Sequence, residues 1–251
     1  MSAHDYLVSR LSAAEPSEAQ LNTLRSVRDA IESALRRDFG SMPRFYYGGS
    51  FAKGTMNRAS FDLDLVLYFP SDHRNSVSAI YESVRQSLTA NRFYVIQKTV
   101  ALRLPYEGGF HVDVVPGRAH DATFKYATLF RNERPPSTLQ TSLKVHIDAV
   151  RKSGLAPVIR LLKLWRDRNA LTLPSFAIEI LAARSIQSST GSDLATATWT
   201  VLEHIRTEIS RARLVDPANT NNVVDLSATV RSAAASVATA SLRARTWDMV
   251  L

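Results

Sequence analysis

The sequence predicts an α+β protein: a mixed sheet-and-helix half followed by an all-helical half. Three observations predict it. Apolar residues recur at helical spacing up to about Arg37, then adopt the two-residue period of strands between Arg44 and Val115. Turn signals at Gly48-Gly49-Ser50, Tyr106-Glu107-Gly108 and Pro116-Gly117 separate those strands. After about Ser137 the helical period returns. The expected division is 1–140 for the sheet half with its N-terminal helices and 141–251 for the helical half.

Residues 5–12 read as a short helix with Tyr6, Leu7 and Leu11 on one side. Glu15-Pro16-Ser17-Glu18 starts a second helix, with Pro near its first turn. Leu21, Leu24, Val27, Ile31 and Leu35 give that helix an apolar face, and Phe39-Gly40-Ser41-Met42-Pro43 breaks it. Arg44–Tyr47 and Asp62–Phe69 read as strands, residues 75–90 as a helix. Phe93–Ile96, Thr99–Leu104 and Gly109–Val115 read as further strands. Candidate helices of the second half are 141–151, 156–168, 174–187, 194–210 and 226–246. The last is rich in Ala and Ser, with Val230, Val237 and Leu242 as scattered apolar contacts, and reads as a packing helix.

At 251 residues, 45% hydrophobic and 22% charged, the chain fits one large domain or two intimate lobes. No stretch approaches the ~20 apolar residues that span a bilayer. The start, MSAHDYLVSR, lacks an apolar signal core, so a cytoplasmic location without membrane attachment is expected. There are no cysteines, which excludes disulfides and thiolate metal sites; any metal must sit on oxygen or imidazole. The net charge of +8 and pI of about 10.0 favour anionic partners, and a merely basic surface accounts for them equally well.

The most informative segment is Phe61-Asp62-Leu63-Asp64-Leu65-Val66-Leu67-Tyr68-Phe69. In a strand, Phe61, Leu63, Leu65, Leu67 and Phe69 form one apolar face, and Asp62 and Asp64 share the other. Adjacent carboxylates repel each other and lose hydration in a folded environment; a divalent cation removes that difficulty. In His111-Val112-Asp113-Val114-Val115-Pro116, Asp113 sits in a second apolar strand that can pair beside the first. Three carboxylates without a thiolate suit magnesium or manganese, and support two-metal phosphoryl transfer. Taken alone, the Asp-x-Asp is equally the solvated face of an edge strand.

Gly48-Gly49-Ser50-Phe51-Ala52-Lys53-Gly54-Thr55 precedes that strand. Glycines let a backbone approach phosphates, and Ser50 adds a hydroxyl donor. Lys53 either adds charge or faces solvent. The loop is neither a Walker A sequence, since Lys53 precedes Gly54, nor a G-x-G-x-x-G dinucleotide pattern. By itself it is also a plain glycine turn.

Together, Gly49-Ser50, Gly54-Thr55, Asp62-x-Asp64 and the distant Asp113 resemble the DNA polymerase β-type nucleotidyltransferases. That family's pattern is Gly-Ser, a short helix with Gly-Thr, Asp-x-Asp, then one later Asp, and every element is present in order. In the second half, Leu161-Leu162-Lys163-Leu164-Trp165, Leu173-Pro174-Ser175-Phe176 and Glu179-Ile180-Leu181 resemble the 2′–5′ oligoadenylate synthetase and cGAS-like branch. This branch includes the bacterial CD-NTases, which make cyclic oligonucleotide signals in antiphage defence. There, the Lys matching Lys163 and the Ser matching Ser175 hold the donor triphosphate. Leu214-Val215-Asp216-Pro217 with Asn219 to Val223 is similar to a late Asp-Pro…Asn loop of the branch. Thr141 to His146 is placed like the motif that opens its second lobe. The resemblance covers roughly residues 44–225. The chain is short for the family, and without cysteine it has no zinc-binding insertion, so sensing of double-stranded DNA in the cGAS manner is not expected.

The residues of the second half also have plainer readings. Arg160, Lys163 and Asp167 share a stripe opposite Val158, Leu161, Leu162 and Trp165, with Arg166 at its border. A solvated charged face with a Lys163–Asp167 pair accounts for that stripe without the resemblance. Ser175, just after Pro174, reads also as a capping residue. His146 reads as structural, and His111 is assigned no role.

The resemblance implies a polymerase β-type nucleotidyltransferase fold, a small mixed sheet with helices plus a C-terminal helical lobe completing a nucleotide cleft. It implies two Mg2+ (or Mn2+) ions at Asp62, Asp64 and Asp113, and nucleotide held by Gly49, Ser50, Lys163 and Ser175. The expected activity joins NTPs into a cyclic or linear oligonucleotide messenger with release of pyrophosphate. The implied partners are NTPs and an RNA or protein activator, with the downstream effector a separate protein. An alternative keeps the chemistry and adds nucleotides to an RNA 3′ end, as CCA- or poly(A)-adding relatives do. A third reading is a catalytically inactive nucleotide- or RNA-binding module, against which the intact carboxylates argue.

Overall fold

The computed structural model describes residues 2–186 and 193–251. The chain divides into two units, Pro16–Ile147 and Met1–Glu15 with Asp148–Leu251. Among the described residues no helix is long and apolar enough to cross a membrane.

The first helix, α1 (Ala3–Ala13), belongs to the second of these units. The sheet unit begins with α2 (Glu18–Phe39). The Ser17 hydroxyl accepts from the Gln20 amide, and the Gln20 side chain accepts from the Ser17 amide at 2.9 Å, so two otherwise orphaned donors are satisfied. The predicted apolar stripe is real: Leu24, Ile31 and Leu35 are buried. β1 (Arg44–Tyr47) and the short α3 (Gly49–Lys53) lead to β2 (Leu63–Phe69). α4 (Val77–Ala90) follows, then β3 (Ile96–Gln97), β4 (Leu102–Pro105) and β5 (His111–Ala119). β6 (Ala127–Arg131) and β7 (Ser137–Thr141) complete the sheet. Its order is β1-β2-β5-β4-β3, with β6 joined to β5 and β7 to β6. β2 and β5 run parallel, and β4 runs antiparallel to β5.

Leu63, Leu65, Leu67 and Phe69 lie in the main core with Leu102, Leu104, Val112 and Val114, packed on residues of α2 and α4. This is the apolar face predicted for β2, with Phe61 partly buried against it. The opposite face of β2 is also covered further along, where Val66 and Tyr68 meet Ala127 and Leu129. The strand is therefore apolar on both faces beyond Asp64. At Asp64 the glycine loop, rather than Ala127 and Leu129, lies against that face.

The chain does not turn helical at Ser137. β6 and β7 were not predicted, because β7 packs only Leu139 and Thr141 inward and leaves Thr138 and Gln140 exposed. Phe93 and Val95 pack against the main core without joining a ladder, so β3 is only the pair Ile96–Gln97.

The helical unit contains α6 (Ala156–Arg168), α7 (Ser175–Ser185), α8 (Leu194–Glu208) and α9 (Ala228–Leu242), and the unit boundary falls within α5 (Leu143–Arg151). Of the predicted helix 174–187, residue 187 lies outside the described residues. The predicted Asp-Pro…Asn loop is a hairpin of β8 (Leu214–Asp216) and β9 (Asn219–Val224). The core holds Leu161, Leu162, Trp165, Leu181, Val201 and Leu202. Trp165 Nε1 donates to Ser241 Oγ at 2.9 Å, so the large ring is buried without an orphaned donor. On α9 the fully buried residues are Ala234 and Ala238, while Val230, Val237 and Leu242 are partly buried: small side chains let this helix come close.

Residues 2–15, expected with the sheet half, belong to the helical unit. Leu7 is buried in its core, Tyr6 Oη donates to the Leu251 carbonyl at 2.8 Å, and Arg160 pairs with Glu15 and donates to the Leu11 carbonyl at 3.0 Å.

Candidate active site

The parallel pairing of β2 with β5 puts Asp64 directly beside Asp113, and the antiparallel pairing of β4 with β5 puts Arg103 beside Asp113 on the other side. Asp64, Asp113 and Arg103 thus stand in a row across three neighbouring strands. Alternation sends Val112 and Val114 into the core and leaves Asp113 on the opposite face. Asp62 lies one residue before β2. Its neighbour Phe61 stacks on Phe110 with ring centroids 5.2 Å apart, which seats Asp62 beside His111.

The hydrogen bonds are specific. The Arg103 guanidinium donates to both Asp113 oxygens, Nε to Oδ1 at 2.8 Å and Nη2 to Oδ2 at 2.7 Å. The His111 amide donates to Asp62 Oδ1 at 3.1 Å, and His111 Nδ1 lies 2.7 Å from the same oxygen. His111 Nε2 is 3.5 Å from Asp113 Oδ2, an electrostatic contact rather than a hydrogen bond. His111 therefore stands between two of the predicted carboxylates. Burial, followed by repulsion from Asp113, pushes the Asp64 carboxyl up to about 6; Lys53 and Arg103 act against that rise, and Asp62 adds to it.

The glycine loop closes on the same carboxylate. The Gly48 amide donates to the Asp64 carbonyl at 2.8 Å. Gly49 has φ +57°, and a Cβ there would fall 1.6 Å from Asp64 Oδ2. Only glycine meets both conditions. Ser50 follows on α3, its carbonyl accepting from the Thr55 amide at 2.9 Å. Lys53 does not face solvent: it is buried, and its charge acts on Asp64. The structure therefore brings Gly49, Asp62, Asp64 and Asp113 together within the sheet unit.

Lys163 and Ser175 lie in the helical unit, on α6 and α7. The stripe of α6 is not a solvated face, since Arg160 and Lys163 are both buried. Asp167 accepts from Arg166 Nε at 2.7 Å. Ser175 makes no capping hydrogen bond; its hydroxyl accepts from Arg166 Nη1 at 2.9 Å. Sequence reasoning missed Arg103, His111 and Arg166. The signal for Arg103 was its polar position between Leu102 and Leu104, but its partner emerges only from the β4–β5 register.

The donor chemistry of Asp62, Asp64 and Asp113 fits a hard divalent cation: all are carboxylates, and Asp113 and Asp62 repel the charge of the buried Asp64, a repulsion that a bound cation would relieve. Among the described residues no three His, Cys, Asp or Glu side chains are gathered at metal-holding distances. Asp113 is turned onto Arg103 and Asp62 onto His111.

No protein-family model matches the sequence. A cyclic AMP-AMP-AMP synthase from Escherichia coli (strain MS 115-1) is 25% identical over 166 residues, 59% of this chain and 51% of the relative. A c-di-GMP synthase from Roseivirga ehrenbergii is 32% identical over 125 residues, 45% of this chain and 33% of the relative. The aligned chain thus spans about half the length of one curated relative and a third of the other. The structure of the Bradyrhizobium diazoefficiens CD-NTase CdnG in complex with GTP superposes with a TM-score of 0.79 at 14% identity, covering 96% of this chain and 90% of that one. The chain is similar in sequence to cyclic-nucleotide synthases, and it has the polymerase β-type nucleotidyltransferase fold in the form shared by the CD-NTases of the cGAS-like branch.

Proposed function

We propose that the protein is a metal-dependent nucleotidyltransferase that joins NTPs into a cyclic oligonucleotide and releases pyrophosphate. The observation that carries this reading is the register of Asp64 beside Asp113 under the Gly49 backbone, with Asp62 at the mouth of the same strand. The names of the curated relatives support cyclic products.

In this reading Asp62, Asp64 and Asp113 hold two Mg2+ or Mn2+ ions, which neutralise phosphate charge and acidify the acceptor hydroxyl when bound. The hydroxyl oxygen of one nucleotide forms a bond to the α-phosphorus of the donor, and the bond from that phosphorus to the pyrophosphate oxygen breaks. Asp113 orients the acceptor hydroxyl and takes part in removing its proton. Gly49 lets the loop backbone lie against Asp64, and Ser50 adds a hydroxyl donor for phosphate beside it; on the helical unit, Lys163 and Ser175 are read as nucleotide-binding residues. A second step of the same kind, on the 3′- or 2′-hydroxyl of the product, closes the ring.

The high pI of about 10.0 favours RNA as an alternative acceptor, and the test separates the two. Labelled ATP, GTP, CTP and UTP are incubated with Mg2+ or Mn2+, with and without RNA and polyanionic activators. Phosphatase-resistant small products, absent with Asp62→Ala/Asp64→Ala, are expected. Extension of RNA supports the alternative, and no metal-dependent incorporation under any condition refutes both.

A further inference from the structure

Arg103 has no part in the chemistry above, yet its guanidinium makes the most complete interaction in the site. It uses two parallel N–H groups on the two oxygens of Asp113, at 2.8 and 2.7 Å, the fork geometry in which arginine binds a carboxylate most strongly. A metal ion on Asp113 must take a lone pair of one of those oxygens at about 2.0–2.1 Å. It would then sit beside a guanidinium of like charge sharing the same two atoms. The two cations compete for one carboxylate. Arg103 has somewhere to go, because its side chain is 31% exposed and the strand outside β4 contributes only Ile96 and Gln97.

We propose that Arg103 is a positioning residue that occupies Asp113 in the metal-free protein and gives it up to a divalent cation. This rests on the reading of Asp62, Asp64 and Asp113 as metal ligands. Arg103 supplies the row of carboxylates with a counter-charge at rest, and it lowers the affinity of the empty site for metal.

The test is equilibrium Mn2+ binding without nucleotide, read from the loss of the free-ion electron paramagnetic resonance signal, on folded protein checked by circular dichroism. The proteins are wild type, Arg103→Met, Arg103→Lys and Asp62→Ala/Asp64→Ala. Arg103→Met is expected to bind Mn2+ about tenfold more tightly than wild type, the scale of one charge-assisted bidentate pair. Arg103→Lys, which keeps the charge and loses the fork, is expected to fall between them. Should Arg103→Met fail to fold, the lysine variant carries the test. Equal or weaker Mn2+ binding in the Arg103 variants, while Asp62→Ala/Asp64→Ala loses it, overturns the exchange and leaves the metal site standing. Unchanged binding in Asp62→Ala/Asp64→Ala overturns the metal site and the exchange with it.

Discussion

Asp64→Asn is expected to stabilise the metal-free protein at neutral pH. The Asp64 carboxyl rises from its ordinary 3.8 to about 6, chiefly through burial and then through repulsion by Asp113. A raised folded-state pKa means that the folded protein binds this proton more tightly than the unfolded chain. The contribution of the group is therefore most favourable below pH 3.8 and is lost as pH rises through about 6. The full step corresponds to roughly 3 kcal/mol at pH 7.5. Asparagine keeps the shape of the side chain and carries no charge, so the variant escapes the loss. The assay is urea unfolding in chelator from pH 4.5 to 8, with the difference between variant and wild type plotted against pH. All three tryptophans lie in the helical unit, so the sheet unit is followed by far-ultraviolet circular dichroism and tyrosine fluorescence. The difference should grow from about 1 kcal/mol at pH 4.5 to a plateau of about 3 kcal/mol above pH 7, in favour of Asp64→Asn. A difference that is flat with pH, or a variant less stable than wild type at pH 7.5, refutes the account of strain at this carboxylate.

Gly49→Ala places a Cβ 1.6 Å from Asp64 Oδ2 on a backbone at φ +57°. It should lose about 1–2 kcal/mol of stability by urea unfolding and at least ~100-fold in nucleotide incorporation. Arg166→Ala releases the Ser175 hydroxyl from its 2.9 Å donor; an increase in KM for NTP of about three- to tenfold, with kcat little changed, is expected in steady-state kinetics. Ala238→Leu forces a larger side chain into the fully buried face of α9, and thermal unfolding should register a loss of about 1–3 kcal/mol.

Local periodicity made much of the fold legible. The alternation of Leu63, Leu65, Leu67 and Phe69 identified a core face before any pairing was known, and these residues are buried as expected. The helix start at Glu15-Pro16-Ser17-Glu18 follows from chemistry that acts within one turn, and Ser17 caps α2. What depended on distant partners was harder to read. β7 carries only a partial apolar alternation, because Leu139 needs β6 and the second face of β2 to pack against. Arg103 and Asp113 are ten residues apart, and they meet only because Tyr106 to Phe110 turn the chain back in one particular register. Lys53 reads equally as a site charge or as a solvent-facing residue, because nothing local announces that a lysine in a glycine loop is buried. The first fifteen residues carried no sign that Leu7 and Tyr6 reach the far end of the chain. The motif residues themselves were legible as a set, since Gly49, Asp62, Asp64 and Asp113 lie on elements that the strand pattern already brings near one another.

Nucleotide transfer by this chain is proposed to depend on Asp62, Asp64 and Asp113. The most direct measurement is pyrophosphate release from a mixture of the four NTPs, followed continuously for wild type and for Asp64→Ala with added Mg2+ or Mn2+. Release by wild type is expected to stop when chelator is added and to fall at least ~100-fold in the variant. Release by Asp64→Ala at the wild-type rate, or none from wild type with either metal and with polyanionic activators present, would contradict it.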